Sequence, residues 1–306
     1  MYGTGDEFPY FQCSSCDCLQ ILNFPLNSSQ YYPAEYYSFS RFEVEAAFSR
    51  KITELLKQRI KKVAISKLNL FGKFAYKRFS YDNVLLLSEV GVNEDSKILE
   101  VGCGSGGLIY VLKQMGFKNV LGIDKYIKED LTYTNGLVIL KIPISEVEGK
   151  WDVIMFHHSF EHVPNQLETL CAVSNVLTEK GVCLINIPTV SSYAWKHYKT
   201  SWVQIDAPRH FFLHSIKSLR FLTGKANLEM KQVFYNSTSF QFWGSEQYAK
   251  GVTLRCDRSY AENHSGSIFS PHQIKRFERK ARELNSINQG DSAVFYLVKA
   301  NLVNQS

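Results

Sequence analysis

The sequence holds no run of eighteen or more apolar residues, which argues against a helical membrane span. Its first residues lack a basic segment leading into an apolar one. No secretory leader is therefore expected, and the default compartment is the cytoplasm. Internal repeats and low-complexity tracts are missing as well, which sets aside repeat architectures. The seven cysteines are odd in number, and only Cys13, Cys16 and Cys18 cluster, while Cys103, Cys171, Cys183 and Cys256 are scattered. That pattern suits thiols or metal ligation better than a disulfide framework. What is present is an ordinary globular composition, 45% apolar and 21% charged over 306 residues. Such a chain can bury a full core as one large domain or two small ones.

The net charge of +6 is unevenly placed. Between Arg50 and Ser80 ten lysines and arginines face a single acid, Glu54, which leaves the rest of the chain slightly acidic. Interleaved with Leu55, Leu56, Ile60, Val63, Ile65, Leu68 and Leu70, these cations read as basic amphipathic helices over 50–80. Such helices either pack as a solvated face on the next domain or meet an anionic membrane surface or a phosphorylated substrate. Peripheral membrane contact is thus one expectation for a cytoplasmic protein.

Residues 1–40 are rich in Tyr, Phe, Pro, Ser and Asn without a sustained period, and 41–90 are helical in pattern. After Gly91 short apolar runs alternate with helical stretches, the sign of βαβ units and a mostly parallel sheet. Strands are expected at Lys97 to Val101, Asn119 to Asp124, Leu137 to Lys141, Asp152 to Phe156, Gly181 to Ile187, Lys231 to Asn236 and Ala293 to Ala300. Helices are expected at Gly107 to Met115, Asn165 to Leu177 and Ser215 to Ala226, with another begun by Ser270 and Pro271.

The stretch "KILEVGCGSGGL" from Lys97 fits two glycine spacings. One is G-x-G-x-x-G at Gly102, Gly104 and Gly107, and the other is G-x-G-x-G at Gly102, Gly104 and Gly106. Either brings backbone N–H groups and a positive helix terminus against a ligand without a Cβ in the way. Asp124, at the end of the next strand, is placed to accept hydrogen bonds from ribose hydroxyls. Glu100 discriminates between cofactors. A negative charge two residues before the first glycine gains nothing from a pyrophosphate, whereas it suits a cofactor with a cationic end.

Here the chain resembles the class I S-adenosylmethionine-dependent methyltransferases, whose first motif E/D-x-G-x-G-x-G is matched by Glu100, Gly102, Gly104 and Gly106. "KWDVIMFHHSFEHVPN" from Lys150 is similar to that family's fourth-strand motif, and "LTEKGVCLINIP" from Leu177 to its fifth strand. The resemblance implies an α/β, Rossmann-like fold. Its sheet would have seven mostly parallel strands, the last antiparallel, with helices on both faces, after a small irregular or helical amino-terminal region. It implies S-adenosylmethionine as cofactor, held by Glu100, Gly102, Cys103, Gly104, Gly106, Asp124, Lys125 and His157. The acid that often meets the adenine amine after the third strand is missing, since "LKIPIS" puts Pro143 and Ile144 there.

In "HHSFEHV", His157, His158, Glu161 and His162 follow the fourth strand. Three readings stay open. Glu161 and His162 cap the next helix and shape the pocket; or a histidine among His157, His158 and the downstream His210 is the general base for an accepting hydroxyl or amine; or a divalent metal sits on His158, Glu161, His162 and His210. The third rests on a resemblance to the Glu-x-x-Glu-His signature of plant small-RNA and ubiquinone-pathway methyltransferases, with His158 standing where they have glutamate.

The aromatic segment 188–214 resembles the substrate-facing loop of methyltransferases that modify sugars, with Asp206, Arg209 and His210 placed to fix hydroxyls or phosphates. With 237–291 it is expected to form the cap of a methyltransferase domain spanning 91–306. Residues 1–40 resemble half of a zinc ribbon. Three thiols fall short of the four ligands of a closed structural zinc, so no tightly held zinc is expected. The expected acceptor is a small molecule, a sugar or nucleotide sugar. RNA or a quinone with metal assistance, or a scaffold without turnover, are the alternatives.

Overall fold

The computed structural model describes residues 5–25, 28–32, 86–87 and 89–300. The basic helices expected within 41–85 lie outside the described residues. Along the chain run strands β1 (Tyr10–Gln12), β2 (Leu19–Ile21) and β3 (Lys97–Val101), helix α1 (Gly107–Gln114), then β4 (Asn119–Ile123), β5 (Leu131–Thr132), β6 (Val138–Leu140) and β7 (Trp151–His157). They are followed by α2 (Gln166–Val176), β8 (Leu177–Pro188), α3 (Tyr193–Tyr198), β9 (Phe212–Leu213), α4 (Ile216–Lys225), β10 (Leu228–Tyr235), α5 (Phe240–Ala249), α6 (Pro271–Ser286) and β11 (Ser292–Lys299). The eight-stranded sheet has the order β10-β11-β8-β7-β3-β4-β6-β5. No helix among the described residues is long and apolar enough to cross a membrane.

The chain divides into two compact units. The first is Met1–Pro33, Phe160–Leu167 and Ile185–Tyr296, and the second is Ala34–Ser159, Glu168–Leu184 and Leu297–Ser306.

In the second unit β3 lies between β4 and β7 and runs parallel to both, with Glu100 opposite Gly122 on one side and Met155 on the other. Ile98 and Leu99 of β3, Ile123 of β4, and Val153 and Ile154 of β7 are fully buried. These uninterrupted apolar runs are what a parallel strand covered on both faces requires. The parallel arrangement matters for function because it brings the carboxyl ends of β3, β4 and β7 out at one edge, where ligands bind in sheets of this kind.

The sheet has eight strands where seven are expected. The additional one is β5, which pairs antiparallel with β6, Thr132 opposite Val138. Its turn is closed by the Tyr133 N–H on the Leu137 carbonyl (2.9 Å) and the Leu137 N–H on Asn135 Oδ1 (3.1 Å), with Gly136 at φ +78°. Asn-Gly between two extended runs is a hairpin signal. A two-residue strand is too short to show any alternation, and so the segment reads as loop.

In the first unit β1 and β2 form a hairpin whose second strand pairs with β9, Leu19 opposite Leu213. Leu19, Val190, Ala194, Trp202 and Leu213 make its core, and the Trp202 indole N–H donates to Asp291 (3.0 Å). A second cluster, Phe242 with Ala281 and Leu284, holds α5 against α6. Helix α6 starts as its sequence dictates. Ser270 Oγ accepts the Gln273 N–H, the Gln273 side chain accepts the Ser270 N–H, and Pro271 fills the first turn.

Replacing Ser270 by alanine should cost about 1 kcal/mol through the lost cap. Urea denaturation checks it: the midpoint should fall with unchanged slope, and an unmoved midpoint would show that the cap is idle.

Candidate active site

Backbone conformation decides between the two glycine spacings. Gly102, Gly104 and Gly106 are all left-handed, at φ +71°, +54° and +79°. Gly107 is not; it opens α1, and a Cβ there would meet nothing within 4 Å. The operative pattern is G-x-G-x-G. Space imposes the same choice as torsion. A Cβ on Gly102 would lie 2.5 Å from Ser159 Cβ, and one on Gly106 would lie 2.4 Å from Ile139 Cδ1. A Cβ on Gly122, beside the turn on β4, would meet Ile109 Cδ1 at 2.4 Å and Cys103 Sγ at 2.7 Å.

Asp124 organises this turn from the end of β4. Its Oδ2 accepts the Gly104 N–H (2.9 Å) and its Oδ1 the Tyr126 N–H (2.8 Å). The Tyr133 hydroxyl donates to the Ser105 carbonyl (2.5 Å) and its ring meets that of Tyr110 edge-on, which pins the turn from the β5–β6 hairpin. Cys103 lies within the turn; burial and the charges of Glu100 and Asp124 push its thiol well above the ordinary range. Lys125 is exposed, its Nζ 4.9 Å from the Tyr126 ring.

Glu100 is 4% exposed. The Ile109 N–H donates to its carboxylate, but Oε2 has no hydrogen-bond partner among the described residues. Burial, with the charge of Asp124 adding to it, pushes its pKa up to about 8. A carboxyl in that position is held neutral until a cation completes it. The turn therefore brings a carboxylate and a buried acid that lacks its counterion to one edge, while the N–H groups of Gly102, Cys103, Gly104 and Gly106 hold the turn itself together.

A family model described as a methyltransferase domain matches residues 71–233, more than half of the chain. The chain belongs to the class I S-adenosylmethionine-dependent methyltransferases. None of the curated proteins matches the sequence. Among solved structures, this methyltransferase is similar to a mycolic acid cyclopropane synthase crystallised with S-adenosylhomocysteine (16% identity, 74% of this chain and 88% of that one, TM-score 0.47). It is also similar to a cyclopropane synthase of Mycobacterium tuberculosis (14%, 82% and 88%, 0.44) and an S-adenosylmethionine-dependent methyltransferase of Clostridium acetobutylicum (13%, 76% and 100%, 0.42). S-adenosylmethionine fits the residues present, because the unsatisfied Glu100 oxygen calls for a cation.

The end of β7 meets the same turn. Ser159 Oγ donates to the Val101 carbonyl (2.7 Å), and Ser159 packs on Gly102. Immediately before it stand His157, half-buried, and His158, exposed and left-handed at φ +48°, with ring centroids 4.8 Å apart. A left-handed non-glycine residue costs of order 1 kcal/mol and persists only where its surroundings impose it.

The first unit gathers the remaining candidates. Glu161, His162 and His210 present one ligand atom each within 4.8 Å of one another, and His158 is not a member of the group. His162 is held neutral, its pKa lowered to about 4 chiefly by burial and then by neighbouring His210. Arg209 and Asp206 form a buried ion pair, Arg209 Nη2 2.5 Å from both Asp206 oxygens. The Cys-x-x-Cys pair lies in the β1–β2 turn, where backbone N–H groups of Ser15 and Cys16 lower the pKa of Cys13. Cys18 is buried, its Sγ 3.9 Å from His214 Nδ1. His214 bonds Gln166 (2.8 Å) and Ser218 (3.0 Å).

Sequence reasoning missed Ser159, Tyr133 and Gly122, all of which shape the turn through contacts distant in the chain. Only the Asn-Gly hairpin pointed toward Tyr133.

The raised Glu100 pKa fixes a sign for stability without ligand. The folded state keeps a proton that the unfolded chain has released above about pH 4.5, so stability is fully present below that pH and declines as pH rises toward about 8. Relative to Glu100→Gln, which mimics the neutral acid, the wild type should lose of order 1 kcal/mol per pH unit across that window. Denaturant unfolding at several pH values tests this, and parallel curves for the two proteins would refute it.

Proposed function

We propose that the chain transfers the methyl group of S-adenosylmethionine to a hydroxyl or amine of a small molecule, a sugar or nucleotide sugar being the class favoured. S-adenosylmethionine supplies an electrophilic methyl on a sulfonium centre. Glu100 holds the cationic end of the cofactor, Asp124 accepts from its ribose, and the backbone of Gly102, Cys103, Gly104 and Gly106 receives it. Lys125 stands beside Asp124 at the edge of the site.

The observation that carries the acceptor side is the His157–His158 pair. His157 ends β7, His158 follows it, and the residue after the pair, Ser159, is packed on the glycine turn. An imidazole there takes the acceptor's proton as the new bond forms, a contribution of roughly 10²–10⁴ in rate. The preference for a sugar rests on the aromatic segment 188–214. Structure limits which of its residues can serve: Trp202 is core, whereas Trp195 and Tyr198 are only partly buried. The protein acts in the cytoplasm.

Incubation with methyl-labelled S-adenosylmethionine and a panel of nucleotide sugars, free sugars, quinols and RNA tests the reading. Label is expected in a sugar-bearing acceptor, and changing both His157 and His158 to glutamine should cut turnover at least 100-fold while cofactor affinity stays within a few-fold. Label confined to RNA or quinol would overturn the acceptor class.

A further inference from the structure

The side chains of Glu161, His162 and His210 converge in the first unit, and the way each imidazole is anchored says which atoms face one another. His162 Nδ1 lies 2.8 Å from the Arg209 carbonyl, and His210 Nδ1 lies 2.7 Å from the Gln204 carbonyl. A carbonyl only accepts, so both Nδ1 atoms carry a proton and Nε2 is the ring atom left to meet a ligand. His210 Nε2 is directed at carboxylates, 3.9 Å from Glu161 Oε1 and 3.7 Å from Asp206 Oδ2. The rings of His162 and His210 are 4.8 Å apart.

Fixing Nδ1–H on a backbone carbonyl while Nε2 looks inward is how proteins orient a metal-binding histidine. The supports around the set are themselves tied down. The Phe211 N–H donates to the Glu161 carbonyl (2.9 Å), the Tyr10 hydroxyl donates to the His210 carbonyl (2.8 Å), and Asp206 is clamped by Arg209.

We propose that Glu161, His162 and His210 form a three-ligand site for a divalent transition ion. Two imidazole nitrogens and one carboxylate suit Zn²⁺, Mn²⁺, Fe²⁺ or Co²⁺ better than Mg²⁺ or Ca²⁺, which prefer oxygen. Donor atoms on a common ion at about 2.0–2.2 Å sit roughly 3–3.5 Å apart, so the side-chain ends need to draw in by about 1 Å. With three protein ligands the ion keeps open positions. It is of the catalytic rather than the structural kind, able to polarise a hydroxyl. The ligand set differs from the one the sequence suggests, because His158 is outside the group and the tautomer-fixing carbonyls come from Gln204 and Arg209.

The probe is Co²⁺, added to full-length protein stripped with a chelator. One equivalent should bind with a visible d–d spectrum and no thiolate charge-transfer band. Glu161→Gln and His210→Gln should each weaken binding at least roughly tenfold. His158→Gln and the double change Cys13→Ser with Cys16→Ser should leave the spectrum unaltered. Should His210→Gln fail to fold, judged by circular dichroism, Glu161→Asp keeps the charge on a shorter arm and should shift the band. Absence of a d–d band overturns the site, as does a thiolate-type spectrum lost only in the cysteine variant. The readout is metal binding alone, so the result does not depend on which acceptor is methylated.

Discussion

Glu100 costs the fold free energy in either protonation state. Ionised, it is a buried charge whose Oε2 has no hydrogen-bond partner among the described residues; neutral, it keeps a proton that solvent at pH 7 would remove from an ordinary carboxyl. A site that carries such a group is incomplete until a cation arrives. The surrounding features follow from placing that acid beneath a ligand. Apolar β3 drives it into the sheet, and the left-handed glycines bend the chain over it. Gly122 opposite leaves the space in which helix α1 closes on β4.

Asp124 and Glu100 divide the work although they lie within one small region and interact. Asp124 receives two backbone N–H groups and is thereby held in place as a fixed acceptor. Glu100 receives one and is suited to respond to the charge of what binds. This separation of two carboxylates by environment gives the cofactor end its polarity. The ribose of a dinucleotide cofactor could donate to Asp124, but its pyrophosphate would be repelled by an ionised Glu100. A sulfonium amino acid conjugated to a nucleoside meets both.

Much of this was legible in the chain. The seven longer strands of the sheet lie close to where apolar runs between turn residues put them, and α6 begins at the serine that caps it. The choice between Gly106 and Gly107 was not legible, because spacing is indifferent to it; torsion and the approach of Ile139 settle it. Helix α5 was missed for a different reason. Its buried face carries Gln241, Ser245 and Gln247, tied down by bonds such as Ser245 Oγ on the Gln241 carbonyl (2.7 Å) and Gln247 on Ser259 (3.1 Å). A polar buried face has no hydrophobic period to read. The amino-terminal hairpin was hidden by strands of three residues. The cluster of Glu161, His162 and His210 was visible as residue types, but its membership was not. His158 is adjacent in sequence yet turned by its left-handed backbone, whereas His210 comes from nearly fifty residues downstream.

The account stands on Glu100 changing charge when S-adenosylmethionine binds. Titration calorimetry near pH 6, repeated in buffers of different ionisation heat, measures that directly. Release of close to one proton per bound cofactor, absent in Glu100→Gln, together with affinity that strengthens as pH rises toward about 8, is the predicted result. Binding without proton release and with an affinity indifferent to pH would contradict it.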